Sequence, residues 1–177
     1  TIFTHWKGVS QVPDDYKLLC YGLDFGYSND PTAIVGVYTD GHGFCLDELV
    51  YATGLTNSAI SQALRDAGVQ RHDMVVADSA EPKSIDEIHG HGFNMHPARK
   101  GPDSVRSGID YMRSRPLLVT ERSINGIKEL RNYKWKEDKN GKQLNQPVDA
   151  FNHFIDASRY AMTWNQTNPN FGEYAIG

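Results

Sequence analysis

Two short apolar runs in this chain each stop on an aspartate. Leu18–Phe25 (LLCYGLDF) closes on Asp24 and breaks into Gly-Tyr-Ser-Asn-Asp-Pro, and Met74–Ala77 (MVVA) is followed at once by Asp78. An ionised carboxylate at the end of a buried strand needs a cation or backbone donors beside it, so a fold that accepts both runs must supply such partners. If the two strands are neighbours, both acids emerge at one edge of a sheet.

The rest of the chain places those runs in a mixed α/β domain. Thr1–Lys17 is polar, holds Trp6 and Pro13, shows no periodicity and is expected to be a lead-in arm or linker. Strands are expected over 18–25, 32–38 and 44–51, joined by a Ser-Asn-Asp-Pro turn and by Gly41-His42-Gly43, which makes an antiparallel three-stranded meander. Ile60, Ala63, Leu64 and Ala67 then fall at helical spacing before Gly68. Beyond 74–77, helices over 81–89, 102–113 and 121–133 alternate with short strands over 92–99 and 117–119, which implies parallel strands added to the meander. Residues 133–148 form a hydrophilic hairpin around Asn140-Gly141, residues 149–164 a closing helix, and 166–177 a tail.

Length and composition agree with one globular unit: 177 residues, 39% hydrophobic and 23% charged, suit a single core. No apolar stretch approaches the roughly 20 residues of a membrane helix, and no signal peptide opens the chain, so an intracellular protein without a membrane partner is expected. Cys20 and Cys45 lack metal-site spacing and are expected to be buried thiols. The formal charge of −4 argues against a polyanion partner only if the acids are spread over the surface; carboxylates gathered in one site bias the sum. The absence of an initiator Met at Thr1 suggests a piece of something longer.

A third carboxylate sits in the last helix. At roughly 100° per residue, Asp149, His153, Asp156 and Tyr160 share one face, while Phe151, Phe154, Ile155, Ser158, Ala161 and Met162 take the opposite, core-facing side. Asp149, after Pro147-Val148, is also a natural helix cap. If Asp24, Asp78 and Asp156 converge, their mutual repulsion is tolerated mainly when divalent cations neutralise it, and hard oxygen ligands select Mg²⁺ or Mn²⁺. Two such ions about 4 Å apart suit in-line phosphodiester cleavage.

Three separated segments, GLDFGYSNDPTA, VVADSAEPKSI and PVDAFNHFIDASRYAM, resemble the nuclease domain of tailed-bacteriophage large terminase subunits, the DNA-packaging motors. The resemblance covers Leu18–Met162, with the motifs in family order. It implies a ribonuclease H-like fold over 18–165 and a metal-dependent endonuclease that cuts double-stranded, concatemeric DNA with little sequence preference. Asp24, Asp78 and Asp156 would be its metal ligands for two Mg²⁺ or Mn²⁺ ions, with Asp24 bridging. His153 would be an auxiliary ligand or proton shuttle, and Lys83 would orient the phosphate or the attacking water unless it is an ordinary exposed lysine. The implied partners are an N-terminal ATPase domain, the portal and the small terminase subunit, in the host cell cytoplasm. No GxxxxGK[ST] loop occurs here, so ATP hydrolysis is not assigned to this chain.

For DNA, Lys134, Lys136, Lys139 and Lys142 of the hairpin, beside Trp135, form one basic set, and Arg99, Lys100, Arg106, Arg113 and Arg115 a second. Contacts from these groups would go to backbone phosphates. An actin- or sugar-kinase-like ATPase, which also opens on a Gly-Leu-Asp-Phe-Gly turn, a Holliday-junction-resolvase-like nuclease and a non-catalytic DNA clamp are the alternatives.

Overall fold

The computed structural model describes residues 1–167, the last of them by its backbone alone. Four strands come first: β1 (Lys7–Val9), β2 (Lys17–Asp24), β3 (Thr32–Thr39) and β4 (Phe44–Ala52). Helix α1 (Asn57–Asp66), β5 (Met74–Ala77), α2 (Pro82–Gly90), β6 (Asn94–Pro97), α3 (Ser104–Arg113), β7 (Leu117–Thr120) and α4 (Ile124–Asn132) then alternate. A hairpin of β8 (Trp135–Glu137) and β9 (Gln143–Pro147) precedes α5 (His153–Thr167). Seven strands form one sheet in the order β1-β7-β4-β3-β2-β5-β6, in which β3 alone runs against the other six. The expected meander is β2-β3-β4, and the parallel strands lie on both sides of it.

Alternation along the strands divides the core between the two faces of the sheet. Tyr21, Leu23, Ile34, Val75 and Ala77 pack with Ile60, Leu64, Ile85 and Ile88 of α1 and α2. Cys20, Ala33, Val35, Val37 and Val76 pack on the other face with Ile109 and Met112 of α3, Leu130 of α4 and Phe154, Ala157 and Ala161 of α5. Both cysteines are buried and free, as expected.

Three local expectations are corrected. Residues 1–17 are not a featureless arm: β1 pairs in parallel with β7, Ile2 and Phe3 enter the core, and the Ile2 amide donates to the Tyr133 carbonyl (2.8 Å). A three-residue strand has no period to detect, so it was invisible to pattern. The last helix begins at His153 and not at 149. Asp149 therefore does not cap it; its Oδ1 accepts from Asn152 Nδ2 (3.0 Å) in the preceding loop, and Phe151, expected in the core, is exposed with φ +54°. Residues 165–167 continue α5, and the remainder of the expected tail lies outside the described residues.

Helix α5 lies against β2 at van der Waals limit. A Cβ placed on Gly22 would stand 1.8 Å from the carbonyl oxygen of Ala157, so only glycine admits the helix at this distance. Gly22→Ala is expected to destabilise the domain by at least about 3 kcal/mol, because backbone and not a flexible side chain must move. Gly8→Ala, whose Cβ would meet only Glu121 Cγ at 3.8 Å, is the near-neutral control. Thermal melts of the two variants check the contrast.

Candidate active site

The register of the sheet brings the two strand-end acids together. Leu23 pairs with Ala77 across β2 and β5, so Asp24 and the residue after Ala77 leave the sheet side by side, and the Asp78 amide donates to the Leu23 carbonyl (3.3 Å). Alternation puts Cys20, Gly22 and Asp24 on the face that carries α5. The helix answers at matched intervals: Cys20 Sγ lies 3.7 Å from the Ala161 carbonyl, Gly22 abuts Ala157, and Asp24 Oδ2 is 3.3 Å from His153 Nδ1. Asp156 follows on the same helix.

Each carboxylate has its own donor. Tyr160 Oη donates to Asp24 Oδ1 (3.4 Å), the Ala80 amide to Asp78 Oδ1 (2.9 Å), and Arg159 Nη2 to Asp156 Oδ1 (3.2 Å). Among the described residues no three or more His, Cys, Asp and Glu side chains close around one point as a preformed metal cage. The donor chemistry nevertheless fits a hard divalent cation. Burial pushes Asp24 up to about 7, with Asp156 and Asp78 adding repulsion and His153 opposing it. Burial likewise raises Asp156, against the pull of Arg159, and Asp78 adds to the rise. Cationic charge placed here would stabilise all three acids in their ionised form.

His153 is held in the same cluster. Its Nε2 is 3.7 Å from Asp30 Oδ1, its ring meets Tyr51 edge-on at 6.3 Å, and the Asp24 hydrogen bond leads the interactions that raise its pKa. Lys83 is exposed on the first turn of α2, just beyond Asp78. The tight turn after Asp24 is packed on itself: a Cβ on Gly26 would strike the Asp30 carbonyl at 2.2 Å, and its amide donates to Thr32 Oγ1. That leaves no open cradle for a nucleotide phosphate.

The basic groups lie at two places around the acids. Because Ala77 pairs with Pro97, exposed Arg99 and Lys100 leave the sheet at the edge where Asp78 does. The hairpin carries Lys134, Lys136, Lys139 and Lys142, and its turn is fixed by Asp138, whose Oδ1 accepts from the amides of Asn140 and Lys142. Arg106 of α3 fastens the hairpin, with its guanidinium carbon 4.2 Å from the Trp135 ring centroid and Nη1 donating to Asn145 Oδ1 (3.2 Å). A cavity of about 460 Å³ between α3, the hairpin and α5 is lined by Lys136, Arg106, Asp156 and Arg159. Arg113 and Arg115 lie at the far end of α3, away from that cavity's lining.

Residues 24–163 match the model of the terminase RNase H-like domain. The chain belongs to that family. It is 37% identical over 148 residues to the large terminase subunit of Bacillus phage SPP1, covering 79% of this chain and 34% of that protein. It is 30% identical over 144 residues to the PBSX phage terminase large subunit of Bacillus subtilis (strain 168), covering 80% and 33%. The chain thus spans about a third of the length of these relatives. The crystal structure of the SPP1 large terminase nuclease domain with bound Mn superposes with a TM-score of 0.80 at 29% identity, covering 92% of this chain and 98% of that one. The ribonuclease H-like fold is therefore established, and neither the kinase-like nor the resolvase-like alternative is favoured.

Several groups that shape the site had no usable signal in the sequence. Glu129 of α4 is buried, and its carboxylate accepts from the Phe154 and Ile155 amides (3.0 and 3.1 Å) and from Tyr51 Oη (2.6 Å). It caps α5 from another helix, in the role expected of Asp149. Arg159, also buried, was readable only as an ordinary helical neighbour of Asp156.

Glu129→Ala is expected to cost about 3 kcal/mol or more, since it strands two helix-terminal amides and a buried phenol; Glu129→Gln should recover part of this. Denaturant unfolding measures both. The raised pKa of Asp24 has a definite sign: stability tied to its protonated form is fully present below its ordinary value near 3.8 and is lost as pH rises toward about 7. His153, also raised, acts in the same direction over its own range. In chelator, Asp24→Asn is therefore expected to raise the melting temperature by about 3 °C or more at alkaline pH, and by less in acid. Melting curves across that range would refute the electrostatic account if the variant gains nothing above neutrality.

Proposed function

We propose that this domain is a divalent-metal-dependent endonuclease of a viral DNA-packaging terminase, cleaving double-stranded, concatemeric DNA by phosphodiester hydrolysis. The observation that carries the proposal is the approach of Asp24, Asp78 and Asp156 from two adjacent strand ends and one helix, where Asp156 and Asp78 both add to the rise of Asp24 and Asp78 adds to that of Asp156, in a chain of the terminase family. Manganese in the SPP1 nuclease structure supports the choice of ion.

Asp24, Asp78 and Asp156 would hold Mg²⁺ or Mn²⁺, two ions in all. Such ions supply a lowered pKa for the attacking water and charge stabilisation for the leaving oxygen. His153, bonded to Asp24 through Nδ1, keeps its other nitrogen toward Asp30 and the solvent side, where it can take up or release a proton. Lys83 would meet the scissile phosphate from α2. Lys134, Lys136, Lys139, Lys142, Arg99 and Lys100 would hold flanking phosphates, giving affinity without sequence preference. In the whole subunit an N-terminal ATPase domain would deliver the DNA, with the portal and small subunit as further partners, in the cytoplasm of the infected cell.

Supercoiled plasmid incubated with Mn²⁺ or Mg²⁺ should be nicked and linearised, and chelator or any one of Asp24→Ala, Asp78→Ala and Asp156→Ala should abolish this. His153→Ala should slow cleavage by about 10- to 100-fold. Undiminished cutting by all three aspartate variants would overturn the assignment.

A further inference from the structure

Among the described residues three non-glycines have left-handed backbones: Tyr27 (φ +86°), Asp103 (φ +61°) and Phe151 (φ +54°). Bulky L side chains avoid this region, and such strain persists where the surrounding structure enforces it and a site uses it. Tyr27 and Phe151 are also among the few large apolar side chains left exposed, at 56% and 41%. Each stands beside the acid cluster in sequence: Tyr27 in the turn after Asp24, Phe151 in the loop before His153. The two loops meet where Asp30 Oδ1 approaches His153 Nε2 (3.7 Å). The Tyr27 carbonyl accepts from the Gly54 amide (3.2 Å), which holds its backbone, while partial burial raises the pKa of its phenol and Glu81 and Ser84 at the start of α2 hydrogen-bond with the hydroxyl, leaving the ring face outward.

We infer that Tyr27 and Phe151 are stacking contacts for nucleobases at the lip of the acid cluster, engaging a DNA strand that is locally unstacked at the point of cleavage. This rests on the nuclease reading above. The rings carry no charge and cannot hold phosphates, but every base offers a π-face, so stacking adds affinity without sequence preference. Apolar side chains inserted at a base step are a known way to open a duplex locally. Two strained aromatic residues on adjoining loops keep 56% and 41% of their surface in water, and a stacked base would cover both.

The test is equilibrium binding of a short fluorescent duplex in chelator, where no cleavage interferes. Tyr27→Ala and Phe151→Ala should each weaken binding at least about fivefold. The slope of affinity against salt should stay unchanged, whereas Lys139→Ala should reduce it. Tyr27→Gly and Phe151→Gly relieve the backbone and should keep the melting temperature while binding as weakly as the alanine variants. A mismatch in the duplex should strengthen wild-type binding, and the gain should vanish in Phe151→Ala. Affinity within twofold of wild type in the double alanine variant, recovery by glycine, or a reduced salt slope in the aromatic variants would overturn the inference. Loss of metal-dependent cutting with aromatic-dependent binding intact would instead overturn the nuclease reading alone.

Discussion

The close contact between α5 and β2 is the constraint on which the rest depends. One helical turn of four residues advances about 6.0 Å, and two strand residues advance about 6.6 Å, so an antiparallel helix and strand can stay in step over several contacts. Here His153, Ala157 and Ala161 meet Asp24, Gly22 and Cys20 in turn. The pairs are graded by size: a small thiol against a carbonyl, a glycine with no side chain at all, then an imidazole against a carboxylate. The same spacing that seals the core at one end presents the acids at the other. A displacement of the helix at Gly22 would therefore move Asp156 and His153 away from Asp24 and Asp78 together.

That arrangement places like charges where burial penalises them. Arg159, the Tyr160 hydroxyl and His153 each relieve one part of the repulsion, and Arg159 is itself buried with its Nε lacking a hydrogen bond. Such compensation is incomplete, as the elevated Asp24 shows. The helix that bears this load needs a firm start, and Glu129 supplies it by taking the Phe154 and Ile155 amides while Tyr51 holds the carboxylate in place. Negative charge at a helix N-terminus is favourable in itself, and a buried carboxylate with three donors is well satisfied.

What the sequence disclosed follows from range. Meander, alternating helices and the Asn140-Gly141 hairpin are written in periods and turn residues a few positions apart, and all of them appear in the structure. The acids at the ends of β2 and β5 were legible because a carboxylate closing an apolar run is itself a local anomaly. The true start of α5 was not legible. Proline, valine and aspartate at 147–149 form a plausible helix start, but the structure gives Phe151 a left-handed backbone and draws its cap from Glu129 on α4. An acid within an amphipathic helix looks like a solvent-facing residue until the neighbouring helix is known. For the same reason Ile2 and Phe3, separated from the main apolar runs, gave no sign that they enter the core.

The formal charge of −4 also takes on a different meaning once charges have places. Three of the acids counted in it gather where β2, β5 and α5 meet, while Lys136 of the hairpin and Arg106 line a cavity that Asp156 shares. The hairpin is not a loose appendage: Trp135 packs against the main core, and Arg106 grips it by its ring face and by Asn145. Cation–π contact and hydrogen bond together fix a basic strand at a set distance from the acids, and Asp138 fixes the register of its turn. Positive and negative charge are thus held apart by packing. If the lysines could fold back onto Asp24 and Asp156, they would neutralise the acids and spend the positive charge that a polyanion requires. A stapled hairpin keeps both available.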